Sequence, residues 1–217
     1  MSDTDSFIDE VSEEVRRDKL FGYLRKYGWI AIVLVVGVVG GAAYNEWSKA
    51  QTRAAAQARG DAILTALQET DAEARKTALA GIDSDGNSQA IVALLTSAEA
   101  LNADDAANAA SALQAIEGNA DLPPLYRQLA TLKRTILTAD STAPADRIAA
   151  LQPLTAAGGA YRVLAEEQIA LAEVEMGETG AALTRLRALQ DDAEATAGLL
   201  RRVQQLIVAL GGDAEPA

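Results

Sequence analysis

Hydrophobic and polar positions divide the chain into a short helical lead, one unbroken apolar run and a long series of amphipathic helices. The first five residues are polar and acidic and read as disordered. From Ser6 the spacing is helical: Ile8, Val11 and Val15 recur between Glu10, Glu13, Glu14 and Arg16, and Ser6 with Asp9 resembles a capping box. A short amphipathic helix is expected here, either a docking helix or a solvated lead-in. Between Lys26 and Glu46 the chain then runs for 19 residues without a charge. As a helix that run is about 28 Å long, close to a hydrocarbon core of about 30 Å. A buried core helix normally carries polar groups on one face, and this one has none, so residues 27–46 are expected to span a membrane. Tyr27 and Trp29 at one end, with Tyr44 and Trp47 at the other, stand where amphipathic rings prefer the headgroup level.

Beyond the span every segment has helical periodicity and none alternates as a strand does. Ser48 to Glu69 is alanine-rich and proline-free, and reads as a helix continuous with the span. Eight further helices follow between turn signals: Ala72 to Ile82, Gln89 to Leu101, Asp104 to Glu117, Pro123 to Leu137, Ala145 to Leu154, Ala160 to Met176, Glu178 to Gln190 and Glu194 to Leu210. Their expected core stripes are Ile91, Leu94, Leu95 and Ala98; Ala106, Ala109, Ala110 and Leu113; Leu125, Leu129, Leu132 and Ile136; and Leu199, Val203, Leu206 and Leu210. Arg201, Arg202 and Gln205 are expected to face solvent. Helices beginning near Gln89, Pro123 and Ala160 recur at roughly 34 to 37 residues, the spacing of tetratricopeptide repeats. The last pair is the most legible, with Ile169-Ala170, turn Gly177, Ala182 and Leu186 in the repeat's order, although Glu173 stands where the repeat usually has an aromatic. The fold class is therefore all-α: a single N-terminal transmembrane helix followed by a degenerate tetratricopeptide-like solenoid, with an antiparallel helical bundle as the alternative. The division is a cytoplasmic segment over 1–26, the span over 27–46, the helical domain over 47–210 and a disordered tail over 211–217.

Charge orients the span. Arg16, Arg17, Lys19, Arg25 and Lys26 precede it and Lys49, Arg53 and Arg59 follow, a bias that keeps the N-terminus in the cytoplasm. The long acidic lead argues against a cleaved signal peptide and for an uncleaved anchor. The first 44 residues hold seven of the 31 acids and five of the 19 bases, which leaves 24 and 14 for the remainder, a net of -10. Such a domain repels nucleic acid and anionic lipid and admits proteins or cationic ligands as partners.

With no histidine and no cysteine, the usual general base, thiolate nucleophile and commonest metal ligand are absent, so neither an enzyme nor a cofactor, metal or small-molecule substrate is expected. The pairs Asp104-Asp105 and Asp191-Asp192 fall at helix ends, where acids cap. Asp83 to Asn87 reads as a loop, since it lacks calcium-ligand spacing. Gly37 and Gly41, four apart with Gly40 beside them, form a small-residue face that admits another transmembrane helix.

The short charged lead, the Leu24 to Ile30 entry Leu-Arg-Lys-Tyr-Gly-Trp-Ile, the span ending in Tyr44-Asn45-Glu46-Trp47 and the alanine-rich helix pairs together resemble the ancillary SecYEG translocon subunit family of bacterial inner-membrane proteins. The likeness covers nearly the whole chain and is most specific in the span and in the pair from Tyr161 to Leu189. It implies an inner-membrane protein with a periplasmic repeat domain, associated with the translocon and periplasmic chaperones. No residue-level site carries over from it. A scaffold for another envelope complex and a membrane-anchored enzyme are the other readings.

Overall fold

The computed structural model describes the backbone of residues 3–212, with side chains from Phe21 onward except those of Tyr23, Leu24 and Ala31. The expected capping box at Ser6 and Asp9, the Ile8, Val11 and Val15 stripe, and residues 213–217 of the tail lie outside the described side chains or residues. Among the described residues the chain is helical throughout, without strands: α1 Asp3–Leu67, α2 Ala72–Ala80, α3 Gly86–Asn102, α4 Ala106–Glu117, α5 Pro124–Leu137, α6 Pro144–Leu151 leading into a 3₁₀ turn at Gln152–Thr155, α7 Arg162–Glu175, α8 Thr179–Gln190 and α9 Ala197–Ala209. Two compact units divide within α1, Met1–Ala58 and Arg59–Ala217.

Local chemistry sets the ends of these helices. Pro124 and Pro144 open α5 and α6, where a missing N–H costs nothing. The side chains of Asp71, Asp105 and Thr196 accept the first free N–H groups of α2, α4 and α9. Gly177 and Gly211 sit at φ 78° and 79° directly after α7 and α9, a left-handed conformation that glycine adopts without a Cβ penalty. The N–H of Gly212 reaches back to Ile207 O at 2.9 Å. Gly211 and Gly212, placed in the tail by the sequence, thus close α9. The expected loop at Asp83 to Asn87 is shorter than predicted because α3 starts at Gly86 with Asp85 as its N-cap. Arg59 Nη1 ties this entry by donating to Asp85 Oδ1 at 2.5 Å and to Ser88 Oγ at 2.6 Å.

Within the second unit the heaviest packing joins each helix from α2 onward to the next in the chain. Three successive clusters result instead of one central core. Ala90, Leu113, Ile116, Leu122 and Ala130 join α3, α4 and α5; Leu132, Leu151, Leu154, Ala165 and Ile169 join α5, α6 and α7; Ala170, Leu186, Leu189, Leu199, Val203 and Ile207 join α7, α8 and α9.

Burial recurs in register along this series. Leu79, Leu113, Leu151 and Leu186 occupy the same place on α2, α4, α6 and α8, each at most 1% exposed, with residue numbers differing by 34, 38 and 35. Three residues after each comes Ile82, Ile116, Leu154 or Leu189, and four before each comes Arg75, Ala109, Arg147 or Ala182. That i, i+4, i+7 pattern is one helical face. On the alternate helices Ser97, Thr135 and Glu173 are buried at intervals of 38. The starts of α3, α5 and α7, at Gly86, Pro124 and Arg162, are likewise 38 apart, longer than the expected 34 to 37.

Two of the expected core stripes are wrong. On α3 Ile91 and Ala98 face solvent, while Ala90, Val92, Ser97 and Ala100 are buried. On α5 Leu125 and Ile136 face solvent, and of the predicted four only Leu132 is buried, beside Ala130, Thr131 and Thr135. Each of these helices is packed from two sides by its sequence neighbours, and close approach selects small residues over the widest apolar stripe. On α4, Ala106 is exposed and Ile116 extends the buried face; on α9, Leu199 and Val203 are buried as expected, with Ile207 added.

Candidate functional site

Two surfaces could carry function, the apolar part of α1 and the charged junctions of the helical domain. In α1 the described large apolar residues from Ile30 to Val39 are each 45% to 66% exposed, whichever side of the helix they occupy. No face is reserved for a protein core. This is one helix, over Arg25–Leu67, long and apolar enough to cross a membrane. The sequence-predicted aromatics stand at the ends of its apolar stretch: the rings of Tyr44 and Trp47 lie 6.1 Å apart at 40°, and Lys26 Nζ sits 5.4 Å from the Tyr27 ring centroid. Trp29 is exposed as well. A cation beside one ring and a tilted aromatic pair at the other end suit the amphipathic boundary of a bilayer. Past it, Arg53 Nη1 pairs with Glu46 at 3.2 Å on the exposed helix surface.

Gly37, Gly40 and Gly41 fall within an arc of about 100° on this helix. A Cβ placed on any of the three would meet nothing within 4 Å. The structure thus brings the three predicted contact residues together on a face that is open.

In the helical domain, ion pairs close the junctions between helices. Arg75 Nε donates to Glu99 across α2 and α3 at 2.7 Å, and Arg134 Nε to Glu117 across α4 and α5 at 2.6 Å. Arg147 pairs with Glu175 across α6 and α7. Arg185 of α8 reaches both Glu173, at 2.7 Å, and Glu166 of α7. Arg202 of α9 grips the buried Glu167 with two bonds of 2.7 and 2.8 Å. Arg202 is therefore exposed as expected but engaged, a contact the sequence reading missed because its partner lies 35 residues away. Glu173, read from sequence as a lost aromatic, is buried 6% exposed and neutralised by Arg185. The buried Nε of Arg147 has no hydrogen-bond partner among the described residues.

A groove of about 450 Å³ opens between α7 and α8, lined by Arg162, Glu166, Glu173, Arg185 and Asp192 among others. Its charges satisfy one another: Arg162 holds Asp192 with bonds of 2.6 and 2.8 Å and Glu194 at 2.7 Å. Such a network rigidifies the junction and leaves no polarised nucleophile or base pair. One member of each carboxylate pair has a structural use. Asp105 caps α4 through the Asn108 N–H at 3.1 Å, and Asp192 accepts from the Glu194 N–H at 2.9 Å. Among the described residues no group of His, Cys, Asp and Glu is placed to hold a metal.

These carboxylates set the acid limit of the fold. The Asn108 side chain, then Lys76, hold Asp105 at about 2, below its ordinary 3.8. Arg75 lowers Glu99, and Arg162 lowers Asp192. A depressed folded value means stability that is present above the ordinary carboxylate range and lost as pH falls through the folded value. The melting temperature should accordingly fall between about pH 4 and pH 2. Asp105→Asn should be less stable than the parent at neutral pH, and the gap should close toward pH 2, followed by circular dichroism melts. A gap independent of pH would show that the ionised carboxylate is not what stabilises the α4 entry.

Comparison with protein-family models, with curated proteins and with solved structures finds no match to this chain.

Proposed function

We propose that this chain is a single-pass bacterial inner-membrane protein that binds other proteins, ancillary to the SecYEG translocon and periplasmic chaperones. In this reading the N-terminus lies in the cytoplasm, the apolar part of α1 crosses the membrane, and α2 to α9 form a degenerate tetratricopeptide-like solenoid in the periplasm. The observation that carries it is the in-register series Leu79, Leu113, Leu151 and Leu186, following a span that is exposed all round. A repeat whose core is made between neighbours presents extended surfaces suited to peptides and partner helices. The net of -10 beyond the span and the lack of histidine and cysteine favour a protein partner over nucleic acid or a catalysed reaction. The likeness of Leu24 to Ile30, Tyr44 to Trp47 and Tyr161 to Leu189 to the translocon family names the partner.

The open glycine face makes the membrane contact testable. Because a Cβ at Gly41 meets nothing in its own chain, Gly41→Ile should leave the helical domain folded and block only an approaching helix. Loss of that close approach should lower co-purification of the partner about tenfold, equivalent to about 1.4 kcal/mol. Photocrosslinkers placed in the span and the domain of the full chain, in intact membranes, should recover translocon subunits or periplasmic chaperones. Products confined to an unrelated envelope complex would favour the scaffold reading instead.

A further inference from the structure

The groove between α7 and α8 carries a charge arrangement that the rest of the fold does without. Glu166 and Glu173 of α7 meet Arg185 of α8, the residue before Leu186. In the register of Leu113, Leu151 and Leu186, the same three places on α3 and α4 are Ala90, Ser97 and Ala112, and on α5 and α6 they are Gln128, Thr135 and Ala150. Two junctions of the same build therefore pack with no charge at any of these positions. Packing does not require the triad, and burying it is costly: Glu173 is only 6% exposed, where an apolar side chain of similar volume would hold the junction as well or better. A buried charge that the fold can do without is expected where a surface binds something.

Pairing around this groove is also unequal. Two arginines, Arg162 and Arg185, face four carboxylates, Glu166, Glu173, Asp192 and Glu194, a net of -2. At other junctions one arginine meets one carboxylate, as Arg134 meets Glu117 and Arg202 meets Glu167. Arg185 occupies both oxygens of Glu173 but only Oε2 of Glu166, so Glu166 Oε1 is left without a hydrogen-bond partner among the described residues. Glu166 lines the groove, and Ala181, Ala188 and Leu189 form an apolar part of its α8 wall. A methylene stem can lie along such a wall while its charged head reaches a carboxylate. The open acceptor, the negative excess and the apolar wall together select a lysine or arginine side chain over an acidic or uncharged one.

We propose that the groove between α7 and α8 binds a basic side chain presented by a segment of another protein, with Glu166 as its acceptor and with Arg162 and Arg185 holding the remaining carboxylates in place. The proposal rests on the protein-binding reading above and gives it a surface and a partner chemistry. The probe is a short labelled alanine and serine peptide carrying lysines, beside the same peptide with its lysines acetylated. Both are titrated by fluorescence anisotropy against the full chain in nanodiscs of zwitterionic lipid, with empty nanodiscs as blank. The lysine peptide should bind about tenfold tighter than the acetylated one, and Glu166→Gln should remove about that factor. Asp140→Asn, the same charge change at an exposed site outside the groove, should leave the affinity within about twofold. Ala188→Leu, which fills the wall and leaves every ion pair in place, should weaken binding by itself. Equal binding of the two peptides, equal effects of Glu166→Gln and Asp140→Asn, full binding by Ala188→Leu, or competition by spermidine as strong as by the lysine peptide would overturn the proposal. Failure of these tests beside span crosslinks to the translocon would remove this groove and leave the proposed function standing. Success beside crosslinks to an unrelated complex would support the groove and remove the translocon.

Discussion

Leu186→Ala should lower the unfolding free energy of the helical domain by about 2–5 kcal/mol, the range for truncating a fully buried leucine. Leu186 is 0% exposed and touches the cluster that joins α7, α8 and α9, so the lost methyl groups leave a void bounded by three helices. Ala170, at 0% exposed on the facing helix, is already too small to relax into it. The same change at Leu113 or Leu151 should fall in the same range, because each occupies the equivalent place in its own cluster. At Leu125, on the exposed side of α5, alanine should change stability by about 0.5 kcal/mol or less. Chemical denaturation of the purified chain measures all four. A loss at Leu125 as large as at Leu186 would mean that the buried and exposed faces have been assigned in reverse.

Arg185→Ala carries the second large expectation. Arg185 is the cation that Glu173 and Glu166 share, and removing it leaves these two carboxylates, both on α7, without their counter-ion, one of them buried. Breaking a buried pair from one side costs about 3–5 kcal/mol; since the Arg185 side chain is 26% exposed, the loss here should be nearer 2–3 kcal/mol. Replacing Glu173 by leucine in the same chain should recover much of that loss, because an apolar side chain suits this buried site without a partner. Glu166 then stands with solvent access of its own. A double variant no more stable than Arg185→Ala would show that the arginine acts through its packed stem and not through its charge.

Several helix ends were legible because their determinants are local, although α3 begins three residues before the expected Gln89 and α9 three residues after the expected Glu194. Pro124, Pro144, Gly177 and Gly211 each act within a residue or two of the boundary they mark, and all four do so in the structure. The face a helix buries is a different kind of information. On α3 and α5 the widest apolar stripe and the packed face do not coincide, since alanine, serine and threonine allow neighbouring backbones to approach from two sides. Periodicity finds large apolar residues and overlooks such positions. The recurrence of Leu79, Leu113, Leu151 and Leu186 was present in the sequence, yet the unequal intervals of 34, 38 and 35 obscure it until burial picks it out. Ion pairs such as Arg202 with Glu167 or Arg162 with Asp192 join residues 35 and 30 positions apart, and no local rule pairs them. For the apolar helix, length and the run without charge were enough to single it out as one that could cross a membrane, and the structure adds the open arc of Gly37, Gly40 and Gly41.

Everything proposed for partners depends on which side of the membrane the helical domain occupies. Protease added to spheroplasts of cells carrying an N-terminally tagged full chain tests that placement directly. The basic flank from Arg16 to Lys26 predicts digestion of the chain beyond Trp47 while the tag survives until the membrane is opened. Loss of the tag in intact spheroplasts, with the helical domain protected, would contradict it.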